Sequence, residues 1–335
     1  MPVLFFDIGA TLADGRLEAD GSLTLLPRPR VVAVLDSLRE VPKGIISNPG
    51  TSEGAAASAA AALHEAFPGR FPDDGLVHWG PKNSRRLFDE AVASAAGAGA
   101  AGAGAGAVEA DECVFVGEDS QERAFAREAG MRTAAHPVFT LAAMENRPAF
   151  WIRIELPEGQ ELSGLEAVAN EAEVVPVHVA SERLVLAMAT TRGAHTLERA
   201  GFTVDMRGHV EDTAAFLVRD NRPLQVADAF ANTPSATRYA AETSLRATAV
   251  FGFVADELAG TATPPVASLG PAPGGVYLAA PAGTPVEDVH LPGAKPGHTE
   301  RLLPDPALLA PRGEVRPAGL TAMAGYLPAG GRTVW

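Results

Sequence analysis

The first half of the chain alternates short apolar runs with stretches of helical spacing. Runs of about four apolar residues are typical of buried strands, whereas the apolar positions of residues 30–39 recur at helical intervals. This alternation predicts an α/β fold with a Rossmann-like parallel sheet covered on both faces. The predicted strands are Val3–Phe6, Gly44–Ile46, Leu76–Trp79 and Cys113–Val116, and the predicted helices are Arg30–Arg39, Ser52–Phe67 (with Thr51 or Ser52 as N-cap) and Ser84–Ser94.

Residues 95–107 are almost entirely glycine and alanine. This composition has no core-facing period, and it predicts a mobile surface loop between a helix and the next strand. A phosphate-binding role is disfavoured because no P-loop Lys-Ser/Thr follows the glycines.

The pattern changes near residue 150, which predicts a domain boundary after an N-terminal domain of residues 1–148. Six elements in the order β-α-β-β-α-β then predict a ferredoxin-like α+β module over residues 149–210. Residues 211–335 are predicted as a helix, Ala236–Leu258, followed by a Pro/Gly-rich extended region that packs on the rest of the protein. In the Pro/Gly-rich stretch, which begins at Thr261, frequent prolines exclude long helices and central strands. The module's predicted strands are Trp151–Leu156, Val174–Ala180, Leu184–Thr190 and Phe202–Met206, and its helices are Ser163–Glu171 and Gly193–Ala200.

Composition narrows the classes of function. The 335 residues are 47% hydrophobic and 20% charged, as expected for a globular protein, and the net charge of -14 disfavours nucleic acid and anionic membranes as partners. The chain shows neither a signal-peptide pattern nor a membrane-spanning apolar stretch, so we expect a cytoplasmic protein. Its single cysteine, Cys113, excludes an internal disulfide and is expected to be a buried strand residue.

Candidate chemistry follows the predicted strands. Asp7 comes directly after the first apolar run, and Ser47 and Glu118-Asp119 follow later ones, while Lys82 precedes a helix. Ligands of open α/β sheets bind beyond the carboxyl ends of the strands, so we expect these side chains to meet there.

These segments resemble, in order, the four motifs of the haloacid dehalogenase-like (HAD) superfamily. The resemblance rests on Asp7-Ile8-Gly9-Ala10-Thr11-Leu12, Ile45-Ile46-Ser47-Asn48, Lys82 before a helix containing Phe88, and Gly117-Glu118-Asp119 with a helix ending in Ala-Gly-Met. It covers about 130 residues, and four motifs in order make it specific. The short intervals between the motifs leave no room for a large inserted cap.

The resemblance implies a Mg²⁺-dependent phosphatase. Asp7 would attack phosphorus and form an aspartyl-phosphate, while Lys82 and Ser47 neutralise the phosphoryl oxygens. Thr11 and the backbone amides from Asn48 onward would contact the substrate. The implied Mg²⁺ ligands are the Asp7 carboxylate, the Gly9 carbonyl, Glu118 and Asp119, with Asp119 the surer of the last two and Glu122 an outer alternative.

The first motif departs from the family pattern at Gly9, where phosphatases carry the aspartate that protonates the leaving group and then activates water. Losing a general acid/base lowers rates by ~10²- to 10⁴-fold. A good leaving group, such as an acyl phosphate, is least affected. Two alternatives stay open: a metal-independent hydrolase of another bond, chiefly C–halogen, or a catalytically silent HAD scaffold whose C-terminal half binds a ligand or partner.

The sequence indicates the roles of the remaining ionisable residues less clearly. His78 is either a replacement acid/base or an ordinary core or surface histidine, and His136 shows no metal-ligand spacing. Arg28 and Arg30 are predicted to be solvated or helix-flanking charges. The expected partners are a small phosphorylated substrate and, as an alternative left open, a second copy of the chain in a homodimer.

Overall fold

The chain forms two compact units, with the boundary between Ala149 and Phe150. The computed structural model describes residues 2–19, 22–71, 75–101, 108–219, 266–272, 275–289 and 299–304. None of the helices in these ranges is both long and apolar enough to cross a membrane.

Unit 1 has the α/β architecture that the sequence predicts, and every strand predicted in the first half is present. Its strands are β1 (Val3–Phe6), β2 (Ala13–Leu17), β3 (Leu23–Pro27), β4 (Lys43–Ser47), β5 (Val77–Trp79), β6 (Cys113–Val116) and β7 (Arg132–Ala134), and its helices are α1 (Val31–Ser37), α2 (Ala55–Ala66), α3 (Arg86–Ala101), α4 (Ser120–Glu128) and α5 (Thr140–Met144).

Five of these strands form a parallel sheet in the order β5-β4-β1-β6-β7. The central strand β1 is buried along its whole length and pairs with β4 on one side and β6 on the other. Its unbroken apolar sequence fits a strand that is covered on both faces. Cys113 begins β6 and is fully buried, as predicted.

The sequence prediction missed three strands of unit 1. Strands β2 and β3 pair as an antiparallel hairpin directly after the first motif, and β7 extends the edge of the sheet beside β6. The hairpin segments are partly exposed, and β7 is only three residues long. Neither hairpin strand shows regular alternation and β7 offers no apolar run, so the signals for a strand are weak.

Two predictions about the helices are wrong. Helix α3 continues to Ala101, so residues 95–101 are helical and only 102–107 of the Gly/Ala run lie outside the described residues. Alanine is the strongest helix former, and Ala91 and Ala95 are buried one turn apart. The N-cap of α2 is Gly54 in a left-handed conformation, not Thr51 or Ser52.

Unit 2 contains all six elements predicted for residues 149–210, in the predicted order, and continues with a second sheet. Its strands are β8 (Ala149–Glu155), β9 (Val174–Ser181), β10 (Leu184–Thr190), β11 (Thr203–His209), β12 (Thr213–Arg219), β13 (Ala267–Ala272), β14 (Gly275–Pro281) and β15 (Thr299–Leu302), and its helices are α6 (Leu162–Glu171) and α7 (Thr191–Arg199).

The first sheet of unit 2 has the order β11-β8-β10-β9, and residues of α6 and α7 share a core with one face of it. The second sheet has the order β13-β14-β12-β15 and is antiparallel. Strand β14 is therefore a central strand, so the prediction that the Pro/Gly-rich region contains none is wrong. Its only proline is its last residue, which explains the exception. The predicted helix Ala236–Leu258 lies outside the described residues.

Substituting Gly44 will test how closely the sheet of unit 1 is packed. A Cβ atom at Gly44 would lie 2.2 Å from the Leu76 carbonyl oxygen, so Gly44→Ala must displace backbone. We expect a loss of about 1–3 kcal/mol in the free energy of unfolding, measured by urea denaturation. Gly97→Ala at an exposed position of α3 is the matched control, because nothing lies within 4 Å of its added Cβ. It should stabilise by about 0.5–1 kcal/mol. Equal effects of the two changes would contradict the packing described here.

Candidate active site

The predicted site residues gather at the carboxyl edge of the parallel sheet. Asp7 directly follows β1, Ser47 ends the neighbouring strand β4, and Glu118 lies two residues beyond β6 on the other side. The backbone fixes these ends, because Asp7 N–H donates to the Val116 carbonyl at 2.9 Å. The topology thus brings together side chains that lie 40 and 111 residues apart in the sequence.

Asp7 is the centre of the cluster. Its side chain is almost fully buried, and its Oδ1 atom accepts a hydrogen bond from the Ser47 hydroxyl at 2.8 Å. The ammonium group of Lys82 lies 2.7 Å from the same oxygen. Among the described residues, no hydrogen bond accompanies these at Oδ2, so one carboxylate oxygen is held while the other is available. This is the geometry expected of an oriented nucleophile.

Lys82 joins two carboxylates in a nearly closed environment. Its Nζ atom lies 2.6 Å from Oε2 of Glu122, which the sequence suggested only as an outer alternative. Burial disfavours the charge on Lys82, yet the surrounding carboxylates, Asp7 first among them, outweigh burial and raise the pKa of the ammonium. Burial likewise raises the pKa of Glu122, and Lys82 only partly offsets the increase. The lysine is therefore a permanent cation in a site with an excess of carboxylates.

Thr11 positions Glu118 in the structure. The Thr11 hydroxyl donates to Oε2 of Glu118 at 2.6 Å and accepts from the Glu118 backbone N–H at 3.2 Å. Burial raises the pKa of Glu118 to about 7, with the charge of Asp7 adding to the effect. The carboxylates of Asp7 and Glu118 thus lie close enough to repel each other at neutral pH. A bound cation would reduce this repulsion.

Asp119 and Asn48 have structural contacts that the sequence did not indicate. Asp119 is the N-cap of α4, and its Oδ1 accepts from the backbone N–H groups of Gln121 and Glu122. The Asn48 side chain accepts from the Gly50 N–H at 3.1 Å and so closes a turn after β4. Helix capping by Asp119 places Glu122 in the first turn of α4, beside Lys82.

Arg123 supports the loop that carries Glu118, and sequence reasoning missed it. Its guanidinium donates to the carbonyls of Gly117 and Glu118 at 2.9 and 2.8 Å. Ser120, Arg123 and Ala126 are all buried, at helical spacing on one face of α4. A charged residue on the buried face of a helix is the signal that would have identified it.

His78 is an ordinary, partly buried histidine, which is one of its two sequence interpretations, whereas the side chain of Arg28 is largely buried. His78 lies on β5 with its ring 5.9 Å from that of Phe5, and burial lowers its pKa, so it is a neutral, partly buried ring. Arg28 is not solvated, because its side chain is only 10% exposed. Its guanidinium binds Asp14 at 3.0 Å and the Ala10 carbonyl at 2.8 Å, which ties the hairpin to the loop after Asp7.

The acidic groups suit a metal that needs few protein ligands. Within the described part of the chain, no group of three or more His, Cys, Asp or Glu side chains could hold a metal ion. Mg²⁺ retains several waters and is commonly held by one or two carboxylates together with substrate phosphate. Burial, and then the charge of Asp7, raise the pKa of Glu118, so Asp7 and Glu118 together fit such an ion.

Replacing Glu118 will test the electrostatics of the site. The folded state holds a proton on Glu118 up to about pH 7, whereas the unfolded chain releases it near 4.5, so this group lowers stability as pH rises between these values. In EDTA, Glu118→Gln should exceed the wild type in free energy of unfolding by about 1–3 kcal/mol at pH 8. The difference should shrink below pH ~5. The exposed Glu128→Gln on α4 is the control, and a pH-independent difference for Glu118→Gln would contradict the raised pKa.

Comparison with known proteins identifies no family. No family model matches the chain, and no curated protein matches it. Among solved structures, a hypothetical protein from Xanthomonas campestris is similar over 42% of this chain and 69% of its own, with 20% identity and a TM-score of 0.28.

Proposed function

We propose that unit 1 is a HAD-type hydrolase domain that cleaves a phosphate ester or acyl phosphate through an aspartyl-phosphate on Asp7. This proposal rests on one observation: the Ser47 hydroxyl and the Lys82 ammonium both contact the same oxygen of Asp7. A carboxylate fixed through one oxygen presents the other to an electrophile, which is what nucleophilic catalysis requires. The parallel sheet and its strand order support the HAD assignment.

The same contacts supply charge compensation for phosphoryl transfer. When a phosphoryl group enters, the Lys82 ammonium and the Ser47 hydroxyl are within reach of its oxygens, because both already touch the attacking group. Lys82 is almost fully buried, so its charge acts in a weakly screened environment. Oriented donors of this kind stabilise the charge that develops on transferred oxygens.

Mg²⁺ is part of the proposal. Asp7 and Glu118 would hold the ion, with the Gly9 carbonyl as a further oxygen ligand and Asp119 or Glu122 beyond them. When bound, the ion would neutralise phosphoryl oxygen charge and orient the substrate. Thr11 contributes by fixing the Glu118 carboxylate through its hydroxyl.

Because Gly9 has no acid side chain, the substrate class is restricted to compounds whose leaving group departs without being protonated. Aspartyl-phosphate formation breaks the bond between phosphorus and the leaving oxygen, and that oxygen takes a proton only if it is basic. A carboxylate or nitrophenolate leaves without one. We therefore infer an acyl phosphate, or an ester of an acidic alcohol, as the substrate class.

The charged surroundings of Asp7 favour this reaction over the alternatives. A dehalogenase would require an apolar pocket beside the nucleophile, whereas Ser47, Lys82 and Glu118 surround Asp7. A silent scaffold would have no need of a buried lysine directed at one carboxylate oxygen.

We further propose that the first sheet of unit 2 is a ferredoxin-like module, since its element order and the strand order β11-β8-β10-β9 support that arrangement.

An Asp7→Asn variant will test the covalent mechanism. The wild type should hydrolyse acetyl phosphate and p-nitrophenyl phosphate with Mg²⁺ and lose turnover in EDTA. Asp7→Asn should reduce kcat/KM by at least about 10³-fold, because the amide cannot attack phosphorus. Asp36→Asn, at an exposed carboxylate of unit 1, is the matched control. Turnover that persists in Asp7→Asn would overturn the covalent mechanism, and a wild type inactive on every phosphate would support the silent scaffold.

Restoring an acid at position 9 will test the inferred substrate class. The backbone at Gly9 does not adopt a positive φ, so aspartate is compatible with its conformation. Gly9→Asp should raise kcat/KM for alkyl phosphates by ~10²-fold while changing that for acetyl phosphate much less. Gly9→Asn, which has the same shape without an ionisable group, is the control. Equal changes for both substrates would show that proton transfer does not limit this enzyme.

A further inference from the structure

The loop that follows Asp7 contains a strained residue between two groups of the proposed metal site. Ala10 has a φ of 51°, in the left-handed region, which is unfavourable for a residue with a Cβ atom. Gly9 precedes it and would contribute its carbonyl to the site, and Thr11 follows it and donates to Oε2 of Glu118 at 2.6 Å. Backbone strain of this kind persists only where the surroundings enforce it. A contact from elsewhere in unit 1 must therefore hold Ala10 in this conformation.

Arg28, directly after β3, makes this contact. Its Nη1 atom donates to the Ala10 carbonyl at 2.8 Å, and its Nε atom donates to Oδ1 of Asp14 at 3.0 Å. Because the Arg28 side chain is largely buried, water competes little for either bond. The Arg28 backbone N–H also donates to the Leu12 carbonyl at 2.9 Å. Arg28 thus contacts the loop on both sides of Thr11, once through its guanidinium and once through its backbone.

The carboxylate of Glu118 depends on this loop for its position. The Thr11 hydroxyl accepts a hydrogen bond from the Glu118 backbone N–H at 3.2 Å while it donates to the Glu118 carboxylate. Within the part of the chain that the structure describes, no other group donates a hydrogen bond to this carboxylate. A shift of Thr11 would therefore break both contacts, and the Glu118 side chain would have to be ordered again when a cation binds.

We propose that Arg28 is a positioning residue of the metal site: it holds Ala10 in the left-handed conformation, so that Thr11 fixes the Glu118 carboxylate before the cation binds. Groups that orient metal ligands typically raise metal affinity by about 10- to 100-fold. The positioning of Glu118 rests on contacts within the protein, whereas its effect on metal binding rests on the proposed function. The two parts are therefore tested separately.

Amide hydrogen exchange, measured by NMR on the full-length protein without metal, tests the positioning. Arg28→Met keeps the apolar stem of the side chain and removes its donors. The Glu118 amide should then exchange at least about tenfold faster, because it loses the Thr11 hydroxyl as acceptor. The Gly80 amide, which donates to the Ser47 carbonyl at the same edge of the sheet, should change by less than about twofold. No acceleration at Glu118, or equal acceleration of both amides, would overturn the proposal.

A second substitution tests whether strain at Ala10 is what Arg28 opposes. Glycine adopts the left-handed conformation without steric cost, so Ala10→Gly added to Arg28→Met should return the exchange rate of the Glu118 amide to within about threefold of the wild type. Arg70→Met is the matched control, because it removes another ion pair of unit 1, to Asp36 at 2.8 Å. It should leave the Glu118 amide unchanged. Failure of Ala10→Gly to restore slow exchange would overturn the role of the strain.

Binding of Mn²⁺, followed by electron paramagnetic resonance of the free ion, separates failure of the proposal from failure of the proposed function. Mn²⁺ suits the same oxygen ligands as Mg²⁺, and Arg28→Met should weaken its binding at least about fivefold, with recovery on adding Ala10→Gly. Equal Mn²⁺ affinity in the wild type and Arg28→Met would overturn the proposed effect on the metal and leave the hydrolase standing. Faster Glu118 exchange in Arg28→Met, with no Mn²⁺ bound by the wild type, would support the positioning and overturn the metal site of the proposed function.

Discussion

The contact between Lys82 and Asp7 is the interaction on which the rest of the site depends. A buried lysine is stable only when its charge is matched, and here the match comes from Asp7 at the end of β1 and Glu122 on α4. Removing the lysine would leave several carboxylates close together, with no cation from the described part of the chain among them. The ion pair thus explains how an acidic cluster survives at the edge of a packed sheet. It also fixes the orientation of Asp7 Oδ1, the oxygen that accepts the hydrogen bond from Ser47.

The fold supplies this contact through backbone geometry. Parallel strands end at one edge, and the N–H groups just beyond the strands still bond their neighbours, as in the 3.1 Å bond from Gly80 to the Ser47 carbonyl. Such bonds hold Asp7, Ser47 and the Lys82 loop in a fixed relation before any ligand arrives. A site assembled in this way has little reorganisation to perform during the reaction that we propose, and this preorganisation is the condition for electrostatic stabilisation of a transition state.

The sequence predicts those parts of the molecule that depend on local pattern. The apolar runs give β1, β4, β5 and β6, and residues that follow them give Asp7, Ser47 and Glu118. What the sequence could not give depends on distant partners. Strand β12 pairs with β14 and β15, which lie more than 50 residues away in the sequence. The local hydrophobic pattern does not predict which distant strands will pair. The burial of Arg123 likewise depends on tertiary packing, because a charged side chain in a helix normally faces water.

Gly9 shifts the demands of the proposed reaction to the rest of the site. A site that lacks a proton donor for the leaving group can recover rate by binding and orienting the reacting group more effectively. The hydrogen bond from Ser47 and the ion pair with Lys82 hold one oxygen of Asp7. These contacts are made within the protein, so the orientation that they impose is present before a substrate binds. The proposed substrate class therefore follows from what this edge of the sheet supplies, which is orientation and charge, and from what Gly9 lacks, which is a transferable proton.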